Sequence, residues 1–317
     1  MNTKEKVYEL LVESADPISG ETIASELHVS RAAIWKAINS LKEDGHSIEG
    51  IPKKGYFLLK NSDEFNKEAI LNFLNDSNKS KVIVLDTVDS TNTYAKKLAE
   101  EGCLEWTIVL SKSQIKGRGR FGRNFYSPKG GCYCSFVLKP VTSIQDTLRV
   151  TMITAIAICH VVEKLCSKRL NIKWVNDLYY NDKKVCGILT EASLNFETNL
   201  LNYLVIGFGI NLNLDSIPSD LENIITDINY TGDKNKFVAA IINEFNICLN
   251  LSMQDIVKEY RNRNLLLNKQ VIVSGGESGE AKVLDITNEG NLLVRFNDNR
   301  EVILVSGEVS LKEIENE

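Results

Sequence analysis

The sequence predicts a protein of the mixed α/β (α+β) class, made of three successive segments that differ in periodicity. Apolar residues recur at helical spacing over residues 1–60, and strand patterns alternate with helix patterns from about residue 66 to 267. From Gln270 onward, short apolar runs alternate with clusters of Gly, Asn and Asp, which is typical of a small β-barrel. We therefore expect three domains, over residues 1–62, 66–267 and 268–317.

The composition, 43% hydrophobic and 25% charged over 317 residues, is that of a globular protein with a large core. The N-terminus does not resemble an apolar signal segment, and the longest apolar run, residues 152–162, is too short to cross a bilayer. We therefore expect a cytoplasmic protein with no membrane contact. The net charge of -5 means that any contact with DNA must come from a local basic patch.

Seven cysteines, an odd number without paired CxxC motifs, indicate reduced thiols rather than a disulfide framework. Cys132 and Cys134 lie two apart on a predicted strand and would point to the same face. Because the three histidines, His28, His46 and His160, are scattered along the chain, we expect no metal site.

In the first segment, three helices are predicted by three apolar sets at helical spacing: Val7, Leu10 and Leu11, then Ile23, Ala24 and Leu27, then Ile34, Ala37, Ile38 and Leu41. Ser30 suits the N-cap of the third helix, and Gly45 suits its C-terminus. The short turn at residues 28–30 is typical of a helix-turn-helix, whose later helix enters the major groove of DNA.

The candidate DNA-binding residues lie on the third helix and on a hairpin that follows it. Ile48 and the apolar run 56–58 flank a tip with two lysines, which suits a wing on the phosphate backbone. The outward face of the helix mixes phosphate binders, base-contacting groups and a tryptophan. The candidates are Arg31, Ala32, Trp35, Lys36, Asn39, Lys53 and Lys54. The alternative to this winged helix-turn-helix is a protein-interaction module with solvated charges; residues 61–64 are the expected linker.

The central segment contains six predicted strands and three predicted helices. The strands are expected at residues 82–85, 107–110, 133–138, 172–175, 185–190 and 201–214. The helices are expected at residues 92–101, 148–165 and 236–251.

The most informative stretch is the loop QIKGRGRFGR at residues 114–123, which follows a predicted strand. Its glycines let backbone amides approach a ligand, and its arginines supply positive charge for phosphate or carboxylate oxygens. The GxGxxG spacing also matches a dinucleotide-binding fingerprint, but the following NFYSPKGG forbids the helix that such a site requires. These residues alone leave open an anion-binding loop and a flexible basic loop that binds RNA or nothing.

Three motifs occur together in this order: DSTN at residues 89–92, Gln114 followed by GRGRFGR, and KWVND at residues 173–177. Together they closely resemble biotin protein ligases, and the N-terminal module is similar to that of the bifunctional members that also repress biotin synthesis genes. The resemblance covers essentially the whole chain and implies an SH3-like β-barrel at the C-terminus. Val175 stands where the family commonly has proline, and Phe125 where it commonly has tryptophan. Neither change touches a charged group, so we expect activity to be retained.

The resemblance implies an ATP-dependent, adenylate-forming reaction with Mg²⁺. The carboxylate of biotin would attack the α-phosphate of ATP to give biotinyl-AMP and pyrophosphate. A lysine of the biotin carboxyl carrier protein would then take the acyl group. Biotin would also be a corepressor, and adenylate binding would produce a homodimer that binds operator DNA. The arginine loop is expected to be mobile when empty and ordered over the adenylate, because a mixed anhydride needs shielding from water.

The resemblance further implies roles for individual residues. Those that would bind biotin are Ser90, Thr91, Asn92, Gln114, Arg118, Gly119, Arg120 and Lys184. Those that would bind ATP are Arg118, Arg120, Asn176 and Asn211, and the catalytic set would be Lys184, Arg118, Arg120 and Asp177. Asp177 would hold Mg²⁺ or assist the incoming amine, and both roles remain open.

Each assignment has a plainer structural alternative. Ser90 alone would be an ordinary helix N-cap, Lys184 a solvated lysine, and the glycines before Asn211 a β-bulge. Lys183 should point away from Lys184, because strand side chains alternate. Two other functions also stay open: a DNA-binding regulator that senses a small carboxylic acid without ligase activity, and a lipoate ligase, whose arginine-glycine motif differs in composition.

Overall fold

The computed structural model describes residues 3–14, 16–43, 48–52, 54–58, 65–139, 146–195, 197 and 200–311. The predictions made for Gly45, Lys53 and the linker at residues 61–64 lie outside these ranges.

The N-terminal unit consists of α1 (Thr3–Glu13), α2 (Gly20–Glu26), α3 (Arg31–Glu43) and a hairpin of β1 (Ile48–Ile51) and β2 (Gly55–Leu58). The three predicted apolar sets meet in one core around Val7, Ile23 and Ile34. The Ala33 amide donates to Ser30 Oγ at 3.2 Å, which confirms the predicted N-cap. The predicted helix-turn-helix and hairpin are therefore present.

The central unit is a mixed sheet that has seven strands among the described residues, in the order β3-β4-β5-β9-β8-β7-β6. The β3 and β4 strands pair in parallel, and the remaining neighbours pair antiparallel. The strands are β3 (Val82–Val88), β4 (Ile108–Gln114), β5 (Gly131–Leu138), β6 (Asn171–Lys173), β7 (Asp177–Tyr180), β8 (Lys183–Leu194) and β9 (Leu201–Asn211).

Helices cover both faces of this sheet. On one face, α5 (Thr91–Glu100) packs against Val109, Val137 and Val205. The neighbouring residues on the same strands, such as Phe136 and Ile206, point to the opposite face and enter the larger core. That core is covered by α4 (Lys67–Phe73), α6 (Asp146–Cys166), α7 (Lys234–Cys248) and α8 (Met253–Arg263). None of the helices described is both long and apolar enough to cross a membrane.

The C-terminal unit is an antiparallel sheet of five described strands in the order β13-β12-β11-β10-β14. The strands are β10 (Gln270–Ser274), β11 (Gly279–Ile286), β12 (Leu292–Phe296), β13 (Glu301–Leu304) and β14 (Glu308–Leu311). Its buried residues join the core of the central unit. The Trp174 indole Nε1 donates to the Gly290 carbonyl at 3.1 Å, which fixes a turn of this sheet against the centre of the molecule.

The structure corrects several predicted elements. The strand expected at residues 172–175 ends at Lys173, because residues 174–176 form the turn into β7. Sequence periodicity missed β7, which has four residues, and α4, which has seven, because both are too short to display a period. It also missed α8, whose polar composition hides a face on which Ile256, Val257 and Tyr260 are buried.

The cysteines are all free thiols, as expected for reduced residues. Cys132 and Cys134 are both fully buried in the same core, in agreement with their predicted common face. Burial raises the pKa of the Cys132 and Cys159 thiols to about 12, so both are protonated and unreactive at neutral pH.

We expect Arg263→Ala to destabilise the protein by about 3 kcal/mol, because Glu163 and Glu259 would lose their shared cation. The Arg263 side chain is 5% exposed and donates to Glu163 Oε1 and Glu259 Oε1, each at 2.7 Å. Urea unfolding followed by tryptophan fluorescence measures the change. The control is Arg295→Ala, which removes an exposed pair with Glu301 and should cost less than about 1 kcal/mol. Equal costs for the two variants would contradict this account.

Candidate functional site

A cavity opens where the N-terminus of α5, the arginine loop and the ends of β8 and β9 meet. Gly307 and Val309 of the C-terminal sheet complete its wall. Ten of the predicted site residues line this cavity: Ser90, Thr91, Asn92, Gln114, Arg118, Gly119, Arg120, Asn176, Asp177 and Lys184. Residues from all three sequence motifs therefore converge on one place.

The N-terminus of α5 is held by a chain of hydrogen bonds. Ser90 is its N-cap, and the Thr91 amide donates to Gln114 Oε1 at 2.8 Å. The amide Nε2 of Gln114 donates to Ser127 Oγ at 2.9 Å, and this hydroxyl donates to the Phe125 carbonyl at 2.8 Å. Gln114 therefore fixes the start of α5 and the far end of the arginine loop at the same time.

Asn92 is buried against the sheet with every polar atom of its side chain paired. Ser135 Oγ donates to Asn92 Oδ1 at 2.6 Å, and Asn92 Nδ2 donates to Glu191 Oε2 at 3.0 Å. A Cβ atom at Gly207 would lie 1.8 Å from Asn92 Oδ1. Only glycine at this strand position leaves room for the asparagine.

The arginine loop forms a compact hairpin. The Gly119 amide donates to the Arg123 carbonyl at 2.8 Å, and the Phe125 amide donates to the Gly117 carbonyl at 2.9 Å. Phe121 and Gly122 at its tip have φ angles of 56° and 75°, so the chain reverses through the left-handed region. The segment after the tip is extended, which confirms that no dinucleotide-type helix follows the glycines.

Each of the three cations to which a ligand-binding role was assigned lies beside an acidic or polar side chain. Arg118 Nη1 is 3.6 Å from Glu191 Oε1, and Lys184 Nζ is 2.8 Å from Asp177 Oδ2. Arg120 Nη1 donates to Asn176 Oδ1 at 3.3 Å. Arg118 is about half exposed, so its guanidinium is accessible to a ligand.

The Phe125 ring forms a floor beneath Lys184. It packs over Gly187 and Gly209, where a Cβ atom would lie 2.9 Å and 2.4 Å from ring carbons. Lys184 Nζ is 5.6 Å from the ring centroid, within the range of a cation–π interaction. Lys183 points elsewhere and donates to the Glu222 carbonyl at 2.6 Å, as the alternation of strand side chains predicts.

Two buried oxygens in this region have no hydrogen-bond partner among the described residues. One is Asp177 Oδ1, inside the cavity. The other is Asn211 Oδ1, whose amide Nδ2 donates to the Thr226 carbonyl at 2.9 Å. Asn211 lies two residues beyond Gly209 on the same strand face and does not line the cavity. An unpaired buried oxygen is costly, so both atoms suit an added donor or cation.

A second candidate surface lies on the N-terminal unit, in a cleft between α3 and the hairpin tip. The α3 residues Arg31, Ala32 and Lys36 are exposed, and Asn39 is half-buried. Trp35 is 59% exposed, which packing within this chain does not explain. Lys54 is exposed at the tip of the hairpin.

The chain matches three family models in succession. Residues 3–57 match an HTH domain, residues 84–211 the biotin/lipoate A/B protein ligase family, and residues 266–312 the biotin protein ligase C-terminal domain. The bifunctional ligase/repressor BirA of Bacillus spizizenii is 30% identical over 301 residues, which span 94% of this chain and 91% of that protein. The chain belongs to the biotin protein ligase family.

Other members of the family extend the comparison. The bifunctional ligase/repressor BirA of Escherichia coli is 31% identical over 250 residues, which cover 77% of this chain and 76% of that protein. Among solved structures, the biotin protein ligase of Aquifex aeolicus in complex with biotin and ATP superposes with a TM-score of 0.64 at 26% identity. That superposition covers 74% of this chain and all of the Aquifex chain.

Sequence reasoning missed three polar residues of this ligase-family site. Ser127 and Ser135 hold Gln114 and Asn92, and Glu191 bridges Asn92 to Arg118. The alternation of positions 187, 189 and 191 along β8 could have revealed Glu191, because Gly187 and Leu189 face the cavity and the predicted strand stopped one residue short. Nothing local marks either serine, since each acts through a partner distant in the chain.

We expect Glu191→Gln to loosen the arginine loop. The substitution keeps an oxygen for Asn92 Nδ2 but removes the charge that faces Arg118, a partly exposed pair worth about 0.5 kcal/mol. Limited trypsin digestion of the ligand-free protein should therefore cleave after Arg118, Arg120 or Arg123 about two- to threefold faster. The control is Glu101→Gln, which removes an exposed pair with Lys97 on α5. Unchanged cleavage within the loop would show that Glu191 does not restrain it.

Proposed function

We propose that this protein is an ATP-dependent biotin protein ligase that is also a biotin-responsive transcriptional repressor. It forms biotinyl-5′-AMP from biotin and ATP and transfers biotin to a lysine of an acceptor, the biotin carboxyl carrier protein. The observation that carries the proposal is the convergence of the three motifs, with Arg118, Arg120 and Lys184, on one cavity of a chain that also has a helix-turn-helix. The relatives that span most of the chain are bifunctional ligase/repressors.

Biotin is assigned to the α5 end of the cavity, against Ser90, Thr91, Asn92 and Gln114. The supporting feature is that these residues are buried or half-buried and already held by other protein groups, as Asn92 is by Ser135 and Glu191. A preorganised set of donors and acceptors binds a polar ring system without losing side-chain entropy on binding.

The carboxylate of biotin and the α-phosphate of ATP are assigned to Arg118, Arg120 and Lys184. Gly119 has no side chain, so a ligand can approach its backbone. In the ligand-free protein, Arg118 and Lys184 lie beside Glu191 and Asp177, so each carboxylate holds a cation in place until ligand oxygens compete for it. Negative charge develops on these oxygens in both steps of the reaction. Positioned cations that stabilise such charge are worth roughly 3 kcal/mol each.

The nucleotide is assigned to Asn176 and Asn211. Asn176 is already oriented, since its Nδ2 donates to the Ile188 carbonyl at 2.9 Å while its Oδ1 accepts from Arg120. The unpaired Oδ1 of Asn211 would accept a hydrogen bond once the nucleotide is bound.

Mg²⁺ is the metal that the proposed reaction implies, and Asp177 is the residue that would hold it. Its Oδ1 is buried without a hydrogen-bond partner in the described part of the chain, and a carboxylate oxygen is a ligand that Mg²⁺ prefers. The ion would supply charge neutralisation on phosphate oxygens. The same Oδ1 would equally accept a hydrogen bond from the ammonium group of the incoming lysine, so the proposal includes both roles for Asp177.

The repressor activity is assigned to the N-terminal unit, with Arg31, Ala32, Trp35, Lys36, Asn39, Lys53 and Lys54 as the DNA-contacting residues. We further propose a homodimer that forms on adenylate binding, because helix-turn-helix dimers read two-fold sites.

The proposed domains span residues 1–62, 66–267 and 268–317. A protein that acts on DNA and on a metabolic enzyme belongs in the cytoplasm.

The direct test is incubation of the protein with labelled biotin, ATP, Mg²⁺ and a biotin-acceptor domain. Transfer of label to the acceptor is expected.

We expect Gly207→Ala to weaken biotin binding at least about tenfold, since its Cβ would displace Asn92 and remove a buried hydrogen bond of about 1.5 kcal/mol. The control is Gly276→Ala, whose Cβ would meet nothing within 4 Å. Absence of both adenylate and transfer would leave a regulator without ligase activity, and preference for lipoate would reassign the substrate.

For the DNA-binding role, we expect Arg31→Ala to weaken binding to a mixed-sequence duplex. Loss of one phosphate contact should reduce the slope of log K against log salt by about 1. Fluorescence anisotropy titrations at several salt concentrations measure the slope, with Lys97→Ala in the central unit as the control. Sedimentation of the same samples with and without biotin and ATP measures the dimer. A slope that does not change would show that Arg31 does not contact DNA. Sedimentation that does not change would show that adenylate binding does not produce a dimer.

A further inference from the structure

A group of metal-ligating side chains lies on the helical face of the central unit, outside the ligase cavity. His160 of α6 and two residues of α7, Glu244 and Cys248, each offer one ligand atom. The three atoms lie within 4.8 Å of one another. None of these residues lines the cavity, so the proposed ligase function does not use them.

The spacing of the ligands is set by the helices. Glu244 and Cys248 are one turn apart on α7 and therefore share a face, and Cys248 Sγ is 3.9 Å from Glu244 Oε1. His160 reaches them from the neighbouring helix α6, with Nδ1 at 2.8 Å from the same oxygen. Tetrahedral zinc, with bonds of about 2.0–2.3 Å, needs ligand atoms about 3.3–3.8 Å apart, which small side-chain rotations provide.

The other nitrogen of His160 faces a carboxylate of α8 at an ion-pair distance. Its Nε2 lies 3.6 Å from Glu259 Oε1 of α8. Glu259 is itself held by Arg263, whose Nε donates to Glu259 Oε1 at 2.7 Å and which pairs with Glu163. Once Nε2 donates to it, this carboxylate would orient the imidazole so that Nδ1 presents its lone pair to a metal ion, as in carboxylate–histidine–zinc arrangements.

Glu244 already brings the other two groups together through protons that a metal ion would replace. In the tautomer with a proton on Nδ1, His160 donates to Glu244 Oε1 at 2.8 Å, and the Cys248 thiol faces the same oxygen at 3.9 Å. The nearby cation, Arg263, faces Glu163 and Glu259 on the far side of the ring. A metal ion that replaces these two protons would be bound by the nitrogen, the carboxylate and the sulfur.

We infer that His160, Glu244 and Cys248 form a binding site for a transition-metal ion of the zinc class. The bound ion bridges α6 and α7. The mixed nitrogen, oxygen and sulfur ligand set suits Zn²⁺, and it disfavours Mg²⁺ and Ca²⁺, which take oxygen ligands. Solvent supplies the fourth ligand, because His160 and Glu244 are each about a third exposed. The site is a structural one, and none of its three residues lines the ligase cavity.

The test uses the full chain after treatment with a chelator, with biotin and ATP omitted, and Co²⁺ as the spectroscopic probe. The expected result is uptake of one Co²⁺ per chain with a thiolate-to-cobalt charge-transfer band. Cys248→Ser should abolish the band, whereas the control Cys103→Ser should retain it. Glu259→Gln should weaken binding about tenfold, because it removes the carboxylate behind the histidine ring.

Two outcomes would overturn the inference. One is the absence of Co²⁺ uptake by the chelator-treated wild-type protein, and the other is a charge-transfer band that persists in Cys248→Ser. Should Cys248→Ser fail to fold, Glu244→Gln replaces it, since this variant keeps a hydrogen bond to His160 and loses a metal ligand. Zn²⁺ should also raise the melting temperature of the wild-type protein but not that of Glu244→Gln. Equal shifts in both would contradict the site.

Discussion

Three glycines on adjacent strands leave room for the Asn92 and Phe125 side chains, and the shape of the ligand cavity depends on this room. At Gly207 a Cβ atom would fall within bonding distance of the Asn92 side chain, and at Gly187 and Gly209 it would enter the Phe125 ring. The sheet backbone is therefore the surface against which α5 and the arginine loop pack. Because no side chain separates them, the polar end of α5, the loop and Lys184 come within reach of one small ligand.

Charge balance explains how this site is stable before a ligand binds. The cavity holds several cations in a small volume, and like charges at such distances would repel. Glu191 lies between Arg118 and Lys96, and Asp177 lies beside Lys184, so carboxylates from β8 and β7 offset the charge. These pairs are partly exposed and weak enough for ligand oxygens to displace. The same carboxylates that stabilise the empty protein thus preserve the cations for an anionic ligand.

Sequence reasoning succeeds for features that neighbouring residues encode and fails for features that form between residues far apart in the chain. The Ser30 cap, the face of α3 that exposes Trp35 and the convergence of the three motifs were predicted, because periodicity or short motifs encode them. Glu191 was missed because the predicted strand ended one residue before it, and its partners Asn92 and Arg118 lie far away in the chain. The metal-ligating group was missed for the same reason, since His160 and Glu244 are separated by 84 positions and meet through helix packing.

The packing of the three units indicates how ligand binding and DNA binding can be linked under the proposed function. The C-terminal sheet shares its core with the central unit and supplies Gly307 and Val309 to the cavity, so it belongs to the ligase site. The helix-turn-helix has a separate core around Val7 and Ile34. In the described part of the chain, the cavity and α3 therefore share no common core through which repacking could carry a signal. Association of two chains can, because it sets the spacing of two α3 helices, and two-fold DNA sites discriminate that spacing.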